Sequence, residues 1–174
     1  MKNVVLLGFM GTGKSIIGRR LAVELRYRFV DTDHLIEKKA QKRIPQIFSE
    51  KGEVYFRNLE VAAVAEAAAL EAYVIATGGG VPANSLNMDV LSKTGILVTL
   101  IARPEVILKR VQRRAGERPL LKGPDPLGHI YKLLKIREEF YKRSDITIDT
   151  SDIQIGESVR RIVDQLKKFK RAVL

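Results

Sequence analysis

The chain of 174 residues contains no cysteine. Disulfide bonds, zinc sites built on thiolates and cysteine nucleophiles are therefore excluded. No apolar run approaches the roughly 20 residues that a membrane-spanning helix needs. The apolar stretch VVLLGFM continues directly into a glycine-rich motif, without the cleavage-like region of a secretory leader. These absences predict a cytoplasmic protein with no membrane partner.

Aromatic residues are scarce, at 6%, and no basic stretch carries interleaved aromatics suited to stacking on bases. The formal net charge is nevertheless +11. Lysines and arginines are scattered and mostly alternate with apolar residues at helical spacing, as they do on solvated helix faces. The charge balance therefore favours anionic small-molecule substrates over a nucleic-acid partner.

No repeat, low-complexity block or linker divides the sequence, and residues 1–174 are expected to form a single domain. Apolar runs rich in β-branched residues predict five strands, at about 4–8, 28–31, 73–77, 96–101 and 146–149. Helical patterns separate these runs. Because strands alternate with helices, the sequence predicts an α/β fold of three α/β/α layers around a parallel sheet.

Parallel sheets of this kind bind ligands at the carboxyl ends of their strands, and every unusual motif here follows a predicted strand. One segment departs from the alternation. Residues 113–126 are rich in glycine, proline and basic residues and show no periodicity. A loop of this length inside a compact domain is more often functional than idle, which predicts a lid.

The motif GFMGTGKS at residues 8–15 matches the phosphate-binding loop pattern in full. Its glycines let the backbone turn tightly and point N–H groups at phosphate oxygens, and the following helix adds its positive end. Lys14 would reach the β- and γ-phosphates, and the Ser15 hydroxyl would bind Mg²⁺. The motif predicts a nucleotide site rather than a strand–turn–helix junction without a ligand.

Two aspartates follow the second predicted strand in the motif DTDH. Asp31 and Asp33 suit a contact with Mg²⁺ and a hydrogen bond to a substrate hydroxyl. Capping of a helix N-terminus explains the same pair of residues equally well. The sequence leaves both interpretations open.

The motif GEVYFRNLE places Glu53, Arg57 and Glu60 at helical spacings of four and three. A ladder of surface ion pairs would stabilise the helix by only a few tenths of a kcal/mol per pair, roughly. The mostly apolar helix that follows weakens this surface interpretation. Arg57 is therefore a candidate for binding an anion.

A second arginine interrupts an apolar stripe. Ile130, Leu134, Arg137 and Tyr141 share one face of a predicted helix. A guanidinium that faces inward needs an anion. We expect a ligand to supply it, with Glu60 as the internal alternative.

The motif ATGGGV, at residues 76–81, follows the third predicted strand. Its three consecutive glycines allow another molecule to approach the backbone closely, whereas a flexible turn is the alternative. The strand ends in Thr77 instead of the acidic residue common in nucleotide hydrolases. Asp31 is expected to take over that contact with the metal.

The motifs GFMGTGKS, DTD, GEVYFRNLE, TGGG, RPLL and REEFY, in this order and spacing, resemble the shikimate kinase family over nearly the whole chain. The resemblance implies a nucleoside-monophosphate-kinase-like fold with five parallel strands and a mobile lid. It implies transfer of the γ-phosphate of ATP to the 3-hydroxyl of shikimate, with Mg²⁺, in the route to aromatic amino acids. A monomer is expected.

The resemblance also assigns roles to residues. Those implied for ATP are Gly11, Thr12, Gly13, Lys14, Ser15, Ile16, Arg110 and Arg118. Those implied for shikimate are Asp33, Arg57, Gly78, Gly79, Gly80 and Arg137. Those implied for the metal are Ser15 and Asp31. Catalysis is assigned to Lys14, to Asp33 as the group that accepts the proton, and to Arg118, which would move with the lid onto the transferring phosphate.

Three alternatives stay open at this point. A gluconate kinase would share the fold and an acidic polyol acceptor, but it is not expected to carry both the FR and TGGG motifs. A nucleoside monophosphate kinase has no need of a carboxylate clamp. A regulatory domain without activity has no reason to retain Lys14, Ser15, Asp31, Asp33 and Arg118 together.

Overall fold

A computed structural model describes residues 2–113 and 124–173, with side chains up to residue 169. The strands of the described chain are Asn3–Gly8 (β1), Arg28–Asp31 (β2), Tyr73–Ala76 (β3), Gly95–Ile101 (β4) and Ile146–Asp149 (β5). Its α-helices are Lys14–Leu25 (α1), Thr32–Ala40 (α2), Ile44–Ala68 (α3), Ser85–Thr94 (α4), Pro104–Gln112 (α5), Pro126–Tyr141 (α6) and Ile155–Val173 (α7). A short 3₁₀ helix spans Val81–Ala83.

The five strands form one parallel sheet in the order β2-β3-β1-β4-β5. The predicted strands are confirmed to within a residue at each end. Strand β1 is buried along its whole length because it lies between β3 and β4. The carboxyl end of β1 therefore lies at the middle of the sheet edge, and the glycine-rich loop follows it there.

Side chains of β1 alternate between two hydrophobic cores, one on each face of the sheet. Val4 and Leu6 pack in the core that includes residues of α1 and α7. Val5 and Leu7 pack in the core that includes residues of α3 and α4. The three-layer prediction is confirmed, because a strand buried on both faces requires helices on both sides.

Helix α3 begins earlier than the motif GEVYFRNLE indicates and carries a break inside that motif. Gly52 has φ 78° and ψ 177°, which no helical residue adopts, so the helix changes direction there. Arg57 and Glu60 lie on the part of the helix that follows the break. The break sets the direction from which these side chains reach the sheet edge.

Most of the predicted lid, including Arg118, lies outside the described residues. At the far end of the segment, Asp125 caps helix α6 and Pro126 is its first residue. Proline suits that position because its missing N–H would have no partner in the helix. Within the described ranges, no helix has the length and apolar character needed to cross a bilayer.

Candidate active site

The loop after β1 adopts the backbone that its glycines predict. Gly8, Gly11 and Gly13 have φ angles of 137°, 77° and 103°. A Cβ atom on Gly8 would lie 2.3 Å from the Leu100 carbonyl oxygen, so only glycine fits there. The Thr12 hydroxyl donates to the Phe9 carbonyl at 2.8 Å and closes the turn. Helix α1 then starts at Lys14, with its N-terminal N–H groups directed at the loop.

The Lys14 ammonium folds back over this loop. Its Nζ donates to the carbonyl oxygens of Gly8 at 2.7 Å and Phe9 at 2.9 Å. Its charge also lowers the pKa of Asp33, against larger effects that raise it. Lys14 is thus the cation between the phosphate loop and the aspartates that follow β2.

Ser15 and Asp31 form a hydrogen-bonded pair of oxygen atoms. The Ser15 hydroxyl donates to Oδ2 of Asp31 at 2.7 Å, and Oδ1 of Asp31 accepts the Asp33 amide at 3.1 Å. Capping of α2 by Asp31 is therefore confirmed, and it occupies only one carboxylate oxygen. Mg²⁺ commonly takes one or two protein oxygens together with substrate phosphates, so this pair fits the metal. In the described residues no group of three or more acidic, histidine or cysteine side chains offers a metal site.

Asp33 is the second carboxylate of the motif and does not cap the helix. Its Oδ1 would lie 2.5 Å from a Cβ atom on Gly78, so the glycine leaves room for the carboxylate. Burial raises the pKa of Asp33 to about 6, and the charge of Asp31 acts in the same direction. The structure thus places a carboxylate of raised pKa beside the phosphate loop.

Glu60 is buried, with 2% of its surface exposed, and pairs with Arg57. Nη1 of Arg57 contacts Oε2 of Glu60 at 2.9 Å, and Nη2 contacts Oε1 of Glu53 at 2.9 Å. Burial raises the pKa of Glu60, while Arg57 and Arg137 lower it. Both predicted ion pairs are present. The interpretation of them as a surface ladder is wrong at Glu60, because that side chain is buried.

Arg137 is half-buried, as its apolar stripe predicts. Its Nη1 donates to the Gly79 carbonyl at 3.1 Å, and its guanidinium lies 5.5 Å from the centre of the Phe9 ring. Glu60, the internal partner considered from the sequence, bonds to Arg57 instead. Arg137 thus donates to a neutral carbonyl, and it interacts with the Tyr141 hydroxyl and, through its charge, with Glu60.

The glycines of TGGG make room for the protein's own side chains. Gly78 faces Asp33, and a Cβ atom on Gly80 would lie 2.6 Å from Nη1 of Arg57. None of these glycines requires a left-handed backbone. The close approach of Asp33 and Arg57 accounts for the missing side chains of Gly78 and Gly80, whereas a Cβ atom on Gly79 would make only ordinary contacts, 3.6 Å or longer.

Two cavities meet at the phosphate loop. One is lined by residues that include Gly11, Thr12, Gly13, Ile16, Arg110 and Thr150. The other is lined by residues that include Lys14, Ser15, Asp31, Asp33, Thr77 and Gly79. Of the residues predicted for the acceptor, Asp33 and Gly79 line the second cavity, beside Lys14, Ser15 and Asp31, which are predicted for the nucleotide and the metal.

Sequence reasoning missed two threonines of this region. Arg110 donates to the Thr150 carbonyl and to its hydroxyl at 3.0 Å, and that hydroxyl reaches the Thr12 carbonyl at 3.0 Å. The Thr32 hydroxyl accepts the Gly78 amide at 3.0 Å. Both threonines directly follow the aspartate that ends a strand, Asp31 of β2 and Asp149 of β5, at the strand ends where parallel sheets bind ligands.

The match to known proteins covers almost the whole chain. A family model described as shikimate kinase matches residues 10–167. A curated shikimate kinase of Caldanaerobacter subterraneus subsp. tengcongensis is 48% identical over 170 residues, which is 98% of this chain and 99% of the relative. The shikimate kinase of Thermoanaerobacter pseudethanolicus is 45% identical over 98% of this chain and 99% of its own.

Solved structures agree with the sequence relatives. A shikimate kinase from Acinetobacter baumannii, in complex with shikimate, superposes with a TM-score of 0.92 at 37% identity and covers 98% of this chain and 95% of its own. A gluconokinase from Sinorhizobium meliloti reaches a TM-score of 0.62 at 16% identity, which shows a shared fold alone. The predicted resemblance is confirmed, and this chain belongs to the shikimate kinase family.

Proposed function

We propose that this chain transfers the γ-phosphate of ATP to the 3-hydroxyl of shikimate and releases shikimate 3-phosphate and ADP. The observation that carries the proposal is the pairing of opposite charges across the acceptor cleft. Asp33 lies against Gly78, and Arg57 lies against Gly80, two residues further along the same loop. An acceptor that bears hydroxyls at one end and a carboxylate at the other matches this arrangement.

The two arginines at the cationic end of the cleft carry more positive charge than their buried internal partner, Glu60, can neutralise. Arg57 and Arg137 both lower the pKa of the buried carboxylate of Glu60. Glu53 also contacts Arg57, but it lies on the exposed side of the helix. A substrate carboxylate would supply the anion that two half-buried guanidinium groups require.

The phosphate loop and Lys14 would hold the nucleotide. The N-terminal N–H groups of α1 and the Lys14 ammonium, which lies against the phosphate loop, would neutralise charge on the β- and γ-phosphates. Bound Mg²⁺, held by Ser15 and through water by Asp31, would neutralise further charge on these phosphates. Arg110 is proposed to line the adenine side of the nucleotide cavity.

Asp33 would position the attacking hydroxyl and accept its proton. A pKa of about 6 leaves the carboxylate ionised at neutral pH and strengthens it as a base relative to an ordinary aspartate. Phosphoryl transfer passes through a loose transition state, so positioning and charge neutralisation carry most of the catalysis. We further propose that Arg118 contacts the transferring phosphate and that the protein acts as a cytoplasmic monomer.

The direct test of the function is ADP release with Mg·ATP, measured by a coupled assay with shikimate, gluconate, CMP or no acceptor. We expect turnover with shikimate alone and none in Lys14→Ala, which serves as the blank. ADP release with gluconate or CMP instead, or no release with any of the three acceptors, would contradict the proposal.

Asp33→Asn should lower kcat by about 100-fold or more, because the amide cannot accept the proton. ATP affinity measured by calorimetry should stay within about twofold, since Asp33 is assigned to the acceptor. Near-normal turnover would remove Asp33 from the catalytic residues. Asp164→Asn, an exposed change on α7, is the matched control.

The same variant should be more stable than the wild type at pH 7.5. Asp33 holds its proton up to about pH 6 in the folded chain but releases it near pH 4 when unfolded, so this group lowers stability as pH rises between these values. Replacing Asp33 with asparagine should therefore raise the free energy of unfolding at pH 7.5 by up to about 3 kcal/mol. The melting temperature should rise at pH 7.5, with little gain at pH 4.

Arg137→Ala should raise KM for shikimate by about 10- to 100-fold, as expected when a charge-assisted bond to a carboxylate is lost. KM for ATP should change less than about twofold. Arg143→Ala, just beyond the same helix, removes a guanidinium bonded to Asp89 and provides the control. Equal losses in both variants would assign the effect to helix packing rather than to substrate binding.

A further inference from the structure

The Gly79 carbonyl oxygen accepts two hydrogen bonds from the end of helix α6. Nη1 of Arg137 donates to it at 3.1 Å, and the Tyr141 hydroxyl donates to it at 3.1 Å. Both donors lie one helical turn apart on the same face of α6. Two donors on one oxygen fix the direction of that carbonyl.

The fixed carbonyl also fixes the N–H of the next residue. None of the described peptide bonds is cis, so the Gly79–Gly80 peptide is trans and planar. In such a peptide the carbonyl of Gly79 and the N–H of Gly80 point in opposite directions. Since the carbonyl faces α6, the Gly80 N–H faces the opposite side of the loop.

The loop borders the proposed acceptor cleft, with Arg137 on its α6 side and Arg57 beside Gly80. The neighbouring Gly78 approaches Asp33 of α2, and Gly80 itself approaches Arg57 of α3. No hydrogen bond joins the Gly80 N–H to any other described residue. A backbone donor beside a guanidinium is an anion-binding arrangement, and here it lies where the substrate carboxylate is proposed to bind.

We infer that Tyr141 is a positioning residue for the acceptor, acting through the Gly79–Gly80 peptide. Its hydroxyl holds the Gly79 carbonyl on the α6 side and so presents the Gly80 N–H to the substrate carboxylate. This inference rests on the proposed function of the cleft. Tyr141 does not itself touch the substrate in this arrangement.

Tyr141 is held firmly enough for this role. It is buried, and its own backbone carbonyl accepts a hydrogen bond from the Thr99 hydroxyl of β4 at 3.3 Å. Its ring packs with Phe9 and Ile130 in one hydrophobic cluster. The phenol is therefore fixed between the sheet and the glycine loop, and removing its oxygen leaves the ring packing intact.

The test compares Tyr141→Phe with Tyr131→Phe. Both changes remove a single phenol oxygen from α6, but Tyr131 is exposed and donates to Glu105. Tyr141→Phe should raise KM for shikimate about 3- to 10-fold, as expected for one neutral hydrogen bond, with KM for ATP and kcat within about twofold. Tyr131→Phe should leave all three unchanged.

A second measurement uses the protein without substrate. The amide ¹⁵N resonance of Gly80 and the carbonyl ¹³C resonance of Gly79 respond to hydrogen bonding at the Gly79 oxygen. The chemical shifts of both resonances should change in Tyr141→Phe and stay the same in Tyr131→Phe. If the wild type gave no turnover with shikimate, the proposed function would fail while these shifts still reported on the peptide.

Two outcomes would overturn the inference. One is an unchanged KM for shikimate in Tyr141→Phe. The other is an equal rise in KM for shikimate and for ATP, accompanied by unmoved Gly79 and Gly80 resonances, which would assign Tyr141 to packing alone. A selective rise in KM for shikimate together with moved resonances supports it.

Discussion

The gathering of three carboxylates, one buried and two half-buried, at one edge of a parallel sheet is the constraint on which the site depends. Asp31 is compensated by the Ser15 hydroxyl and the Asp33 amide, and Glu60 by Arg57. Asp33 has weaker compensation, because burial and Asp31 raise its pKa while Lys14 opposes them only in part. The carboxylate that the fold stabilises least is thus the one proposed to meet the substrate, a cost of the kind expected at functional sites.

Charge in the acceptor cleft is separated along a single glycine loop. Gly78 leaves room for Asp33 and Gly80 leaves room for Arg57, so the loop after β3 sets the distance between the anionic and cationic ends. Helix α6 contacts the same loop through Arg137 and Tyr141, which donate to the Gly79 carbonyl. The proposed recognition of an anionic polyol therefore depends on helices α2, α3 and α6, which meet at this short backbone segment.

Local patterns made the sheet, the phosphate loop and the inward position of Arg137 predictable from the sequence. The two roles of the aspartates were not separable, because capping and substrate binding use the same oxygen atoms and only the structure shows that Asp31 caps α2. The burial of Glu60 depends on packing that helical spacing cannot specify. The contact of Tyr141 with Gly79 joins residues 62 positions apart, for which no local pattern exists.

The ionisation of Asp33 tests the central claim most directly, because both substrate orientation and proton transfer are assigned to that group. The side-chain carboxyl ¹³C resonance of Asp33 can be followed against pH in the ligand-free protein. The account predicts a midpoint of about pH 6, as burial and the neighbouring Asp31 require. A midpoint near pH 4, the ordinary value for aspartate, would contradict it.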